Sequence, residues 1–175
     1  MQQNKSNSGN VIIYVIVGVV LLFLFLKFVG PKIGIKIFEN RGNSIEYAHA
    51  EGFPRTINVS ADINKTRLVI RDKDSLKEAI AAIDKNNEIK IPKVNFERKM
   101  ALFVTSKTRE KGGYETRIKK IVKDNEDLII EIRDSEPGDT CINTQQLNIP
   151  MDLVVLDKVD LSIEFDVVKF VKECN

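Results

Sequence analysis

Hydrophobic positions along this chain fall into two regimes. From Val11 to Leu26 the sequence reads VIIYVIVGVVLLFLFL without a charge, followed by Lys27, Phe28, Val29 and the Gly30-Pro31 stop. No helical phase gives this stretch a polar face, and its many β-branched residues suit a water-exposed helix poorly. A helix rising ~1.5 Å per residue over Val11–Val29 reaches across a hydrocarbon core of ~30 Å when Lys27 snorkels to the headgroups. The run is longer than the apolar part of a secretory leader and lacks a small-residue cleavage site, so it predicts an uncleaved membrane anchor. The tail ahead of it, residues 1–10, is rich in Gln, Asn and Ser and is predicted to be disordered.

Beyond Gly30 the pattern changes to short alternating runs. Residues 30–60 form a membrane-proximal segment with weak strand signals: Ile33, Ile35 and Ile37, then Ile57 and Val59, around a turn at Arg41-Gly42-Asn43-Ser44. Thr66–Arg71 reads as a firmer strand. Ser75 and Glu78 make a capping box, and Leu76, Ala79, Ile80 and Ile83 follow at helical spacing, predicting one helix that ends near Lys85–Asn87. From Met100 onward strands dominate: Met100–Thr105, nearly all apolar and so central; Thr116–Val122, with a bulge at Lys119-Lys120; Leu128–Ile132; Leu153–Leu156; and Leu161–Lys169. In the last of these Leu161, Ile163, Phe165 and Val167 share one face. The predicted fold class is α+β, a mostly antiparallel sheet or open barrel with one packed helix, occupying residues 61–175 behind the anchor.

Charge narrows the function classes. The 27 basic and 25 acidic residues nearly cancel and interleave, without a basic run or interleaved aromatics, so no nucleic-acid partner is expected. Catalytic and metal motifs are scarce. His49 is the sole histidine, which excludes paired-histidine metal sites, and no G-x-S-x-G elbow surrounds a serine. Glu164 and Asp166 share a strand face, which is also what any solvated face looks like. No catalytic residue, cofactor or metal site is assigned. Cys141 and Cys174 are too few and too far apart for a zinc cluster; a single disulfide and two buried free thiols both stand as alternatives. Gly112-Gly113 lacks phosphate-loop spacing and reads as a turn between strands, with Tyr114 opening the next one.

Several of these parts, in order, resemble the PrcB C-terminal domain family. They are Val94-Asn95-Phe96; the strand MALFV; Lys111-Gly112-Gly113-Tyr114-Glu115-Thr116-Arg117-Ile118; Leu128–Ile132; Pro137-Gly138 near Cys141; Gln145 or Gln146; and Pro150 ahead of Leu153–Leu156. The set spans about residues 70–158. Thr116 stands where an isoleucine is more typical of the family. The resemblance implies an exported, non-enzymatic domain named after the regulatory subunit of a surface protease complex and supporting that protease's stability.

Two signals conflict on orientation. Lys27, Lys32, Lys36 and Arg41 follow the anchor and only Lys5 precedes it, which by charge favours a cytoplasmic C-terminal domain. The resemblance favours an extracytoplasmic one, and with so short a tail we adopt it. The expected function is therefore that of a single-pass, membrane-anchored binding or regulatory module with a protein partner. Gly112, Gly113 and Tyr114 are its candidate contact residues. Alternatives are an envelope ligand- or polymer-binding domain, and a hydrolase using His49, Glu164 or Asp166.

Overall fold

The structure, a computed structural model, describes residues 43–174. The expected anchor (11–29), the expected tail before it and the strand signals at Ile33, Ile35 and Ile37 lie outside these residues. Among the described residues no helix is long and apolar enough to cross a membrane.

Among the described residues nine strands and one helix follow in chain order: β1 (Asn43–Ser44), β2 (Tyr47–His49), β3 (Thr56–Asn58), β4 (Thr66–Ile70), α1 (Lys73–Ile83), β5 (Lys99–Thr105), β6 (Glu115–Asp124), β7 (Asp127–Pro137), β8 (Asn148–Asp157) and β9 (Ser162–Lys172). They form two sheets. The first runs β1-β6-β7-β9; the second runs β2-β8-β5-β4, with β3 also on β8. Of the expected sheet or open barrel with one packed helix, the described residues form two mostly antiparallel sheets and one short helix. Asn43 and Ser44, expected in a turn, pair with Lys123 and Val122. The chain then crosses at Ile45-Glu46, and Tyr47–His49 pairs with β8 in the other sheet, so residues 43–49 are woven into both sheets.

Side-chain alternation on β5 and β8 explains why the second sheet carries a core on each face. Ala101, Phe103, Met151 and Leu153 pack with Leu76, Ala79, Ile80 and Ile83 of α1. Met100, Leu102, Val104, Val154 and Leu156 pack with Ile118, Ile121, Leu128, Ile130 and Ile132 of the first sheet. Strands buried on both faces must be apolar throughout, which is why MALFV has no polar interruption.

The helix begins earlier than its sequence signal. Asp72, not Ser75, is the N-cap, and its carboxylate accepts from the Ser75 backbone N–H (2.8 Å) and hydroxyl (2.7 Å). Asp and Ser cap helices comparably well, and here the carboxylate also places its charge at the positive end of the helix dipole. The helix closes at Ile83, where the buried Asp84 side chain accepts from the N–H groups of Glu88 and Ile89.

Two connections differ from expectation. The stretch 106–114 is not a hairpin, since β5 pairs with β4 and β8 while β6 lies in the other sheet. β9 runs parallel to β7, Asp127 opposite Ser162 through Pro137 opposite Lys172, because β8 intervenes in sequence and crosses to the second sheet. The bulge expected at Lys119-Lys120 is present as a register shift between Ile118 and Lys120.

Candidate functional site

Charged side chains are buried at one end of the space between the sheets. Asp152 interrupts the apolar run of β8 and is 3% exposed. Its carboxylate accepts the Ile118 N–H at 2.9 Å, lies 3.3 Å from Arg117 Nη1 and is 3.0 Å from His49 Nδ1. Tyr47 donates its hydroxyl to the Ile118 carbonyl at 3.3 Å. Both backbone groups of Ile118, beside the bulge, are therefore met by side chains of the opposite sheet. Burial, then the Asp152 charge, push the Tyr47 hydroxyl above its ordinary pKa, which keeps it a donor. Nearby, Thr116 donates to Asp134 at 2.8 Å, and Arg67 Nη2 stands 3.9 Å from the same carboxylate. Burial lowers the Arg67 pKa.

This cluster fastens the two sheets. Asp152 is held by three groups, His49 and Arg117 on Oδ1 and the Ile118 N–H on Oδ2, with the Tyr47 hydroxyl bound to the other side of Ile118. His49 is paired with Asp152. Glu164 and Asp166 lie on β9, exposed and half-buried respectively, and neither is a partner of His49 in these contacts.

Beyond the cluster, the same end of the domain is finished by two long connections bound to each other. Arg109 and Asn148 exchange backbone hydrogen bonds at 2.8 and 2.9 Å, and the Gly112 N–H donates to the Thr144 carbonyl at 2.9 Å. The Asn148 side chain donates to the carbonyls of Lys111 and Gln146. Gly113 has φ +88°, and a Cβ there would run into Asn143 Oδ1 and lie 3.0 Å from Pro137 Cβ. Only glycine meets both demands. Tyr114 is half-buried beneath Arg109, whose guanidinium carbon lies 4.3 Å from the ring centroid. The Gly-Gly-Tyr stretch is thus a seam between loops, with Gly113 at its exposed side.

Cys141 and Cys174 are joined by a disulfide with Cα atoms 5.0 Å apart, tying the loop after β7 to the chain after β9. Thr140 reinforces the tie: it donates to the Cys174 carbonyl, and its oxygen accepts the Cys174 N–H. Around this bridge stand the three most exposed large apolar side chains among the described residues. They are Ile142 (102%), Val171 (59%) and Phe170 (50%). On the adjacent outer face of the first sheet a groove of about 390 Å³ is lined by Arg117, Lys119, Arg133, Phe170 and Lys172, with Glu115 and Ser135. A separate groove of about 500 Å³ lies between residues 57–63 and the end of α1. No group of three or more potential metal ligands occurs among the described residues.

Asp152, Arg117 and Tyr47 were not singled out in the sequence. The usable signal was Asp152 itself, an acid inside the run NIPMDLVVL, where a lone charge has to be buried with a partner.

Residues 100–157, the strands β5–β8 and their connections, match the family described as PrcB C-terminal. The matched segment includes the Gly-Gly-Tyr seam, Asp152 and Cys141. No curated protein and no solved structure matches the chain.

Proposed function

We propose that this protein is a non-enzymatic binding module, tethered to the membrane through residues 11–29, whose disulfide-tied end holds a protein partner outside the cytoplasm. The observation carrying this reading is that Ile142, Phe170 and Val171, the most exposed large apolar side chains among the described residues, all lie within a few residues of the Cys141–Cys174 bridge, Phe170 and Val171 on opposite faces of β9. Exposed apolar side chains held on a covalently braced end are the composition of an interface core, whereas chains kept only for solubility hide them. The bridge itself favours an oxidising compartment, in agreement with the extracytoplasmic orientation. The PrcB C-terminal match agrees with a regulatory partner of a surface protein, a protease among the candidates.

Two measurements test the reading together. A reporter fused after Asn175 should be active only outside the cytoplasm. Purification of the full chain from solubilised membranes should retain a stoichiometric protein partner that is lost on Ile142→Asp. A reporter active only in the cytoplasm, or self-association alone, would refute the proposal. An envelope polymer or small ligand held in the groove beside α1 is the second reading, favoured by the apolar lining of Ile57, Val59, Ile63 and Ala82. It predicts binding that Ile142→Asp leaves unchanged.

A further inference from the structure

The strand β9 ends the first sheet, and among the described residues no strand pairs with its outer edge. Which of its amides face that edge follows from two hydrogen bonds on the β7 side. The Ser162 N–H donates to the Glu126 carbonyl, and the Lys172 carbonyl accepts the Gly138 N–H. In a parallel ladder alternate residues bond to one side, so even-numbered residues serve β7. The N–H and C=O groups of Phe165, Val167, Lys169 and Val171 therefore point to the open edge. An edge this long is ordinarily shortened, covered or bulged.

Side chains along the C-terminal half of β9 say what would suit that edge. On the face that carries Ile163 and Phe165 into the core, Val167 and Val171 continue past it, 36% and 59% exposed, with the exposed Lys169 between them. On the opposite face Phe170 lies beside Arg133, 5.7 Å from ring centroid to guanidinium carbon. Lys172, Lys119 and Arg117 complete a basic wall there, opposed by Glu115, which lies 3.9 Å from Arg117.

We infer that β9 is a docking strand, and that the partner adds an extended segment to its open edge. This segment alternates acidic side chains, laid toward Lys172 on β9 and Arg133 on the neighbouring β7, with apolar ones that cover Val167 and Val171 on either side of Lys169. Main-chain bonds would supply affinity and the alternate side chains selectivity, as in other strand additions. The inference rests on the binding-module reading and specifies the partner's chemistry.

The test uses the full chain in detergent micelles and a fluorescent ten-residue peptide alternating valine and glutamate. Its controls are the same peptide with lysine for glutamate, and the glutamate peptide N-methylated along both edges. The glutamate peptide should bind about tenfold more tightly than the lysine peptide, a ratio expected of complementary against like charge. N-methylation should abolish binding. The double variant Arg133→Glu, Lys172→Glu should weaken binding about tenfold, while Lys158→Glu, away from the groove, leaves it unchanged. Equal binding of the N-methylated peptide would overturn strand addition, as would displacement of that peptide by inorganic polyphosphate, which marks a polyanion site instead. A native partner retained by the double variant would overturn this inference and leave the binding-module reading standing. Failure to retain any partner in the wild-type chain removes both.

Discussion

The two ends of this domain are built differently from the same strands. At one end β6 and β7 are joined through Asn125-Glu126, with Asn125 at φ +56°, and β8 passes to β9 through residues 158–161. The inter-sheet core there is apolar, with Met100, Ile121, Leu128 and Leu156 all buried. At the other end the core is plugged by Asp152, Arg117, Asp134 and Arg67. Above it lie two long connections sewn together by backbone bonds, the second of them tied to the chain after β9 by a disulfide. Short turns do no more than reverse a chain. Long loops held rigidly on a scaffold are where proteins place recognition. The contrast is what supports placing the proposed binding role at the disulfide-tied end.

The largest expected effect breaks the plug. Asp152→Ala strands Arg117 and the Ile118 N–H inside the fold and should lower stability by about 3–5 kcal/mol in chemical denaturation, the cost of halving a buried ion pair. Asp152→Asn, which can still accept the Ile118 N–H, should cost less. Next is the bridge. Replacing Cys141 and Cys174 together by alanine should lower stability by about 2–4 kcal/mol. The loss should match that of the reduced wild type, which shows that the bond rather than the side chains is responsible. At the seam, Gly113→Ala should cost about 1–3 kcal/mol through strain and the contact with Asn143, a range typical of held backbone positions. Asn125→Gly, the counterpart at the plain end, should be within about 0.5 kcal/mol of wild type, because glycine relieves a positive φ there. Equal losses at the two glycine-compatible positions would erase the contrast.

Smallest is the pH effect. Because Tyr47 is pushed above its ordinary pKa by burial and then by Asp152, the unfolded chain releases that proton first. Its contribution is flat below the ordinary tyrosine value and declines as pH rises through and beyond it. Tyr47→Phe should flatten that alkaline decline in a thermal melt, at the expense of the bond to Ile118.

Much of this architecture is legible in the chain. Strand runs, the bulge after Ile118 and the apolar stripe of α1 follow from periodicity, which is local. The pairing is not local, and so the Gly112–Tyr114 stretch read as a hairpin although β5 and β6 lie in different sheets. The parallel placement of β9 was hidden for the same reason, since nothing in its own residues records that β8 crosses away. Asp72 was overlooked as the cap because Ser75 and Glu78 imitate a capping box three residues further on. The sequence leaves the cysteine pairing open, as two thiols carry no record of their separation in space. Their meeting depends on where β7 and β9 end side by side.

One measurement bears most directly on the assignment of function to the disulfide-tied end. A photo-crosslinking side chain placed at Ile142, and in a separate protein at Asn125, should be activated in intact membranes carrying the full chain. The account predicts one discrete heterologous protein joined at Ile142, absent at Asn125 and lost when Cys141 and Cys174 are replaced. Crosslinks of equal yield at both positions, or at Asn125 alone, would contradict it.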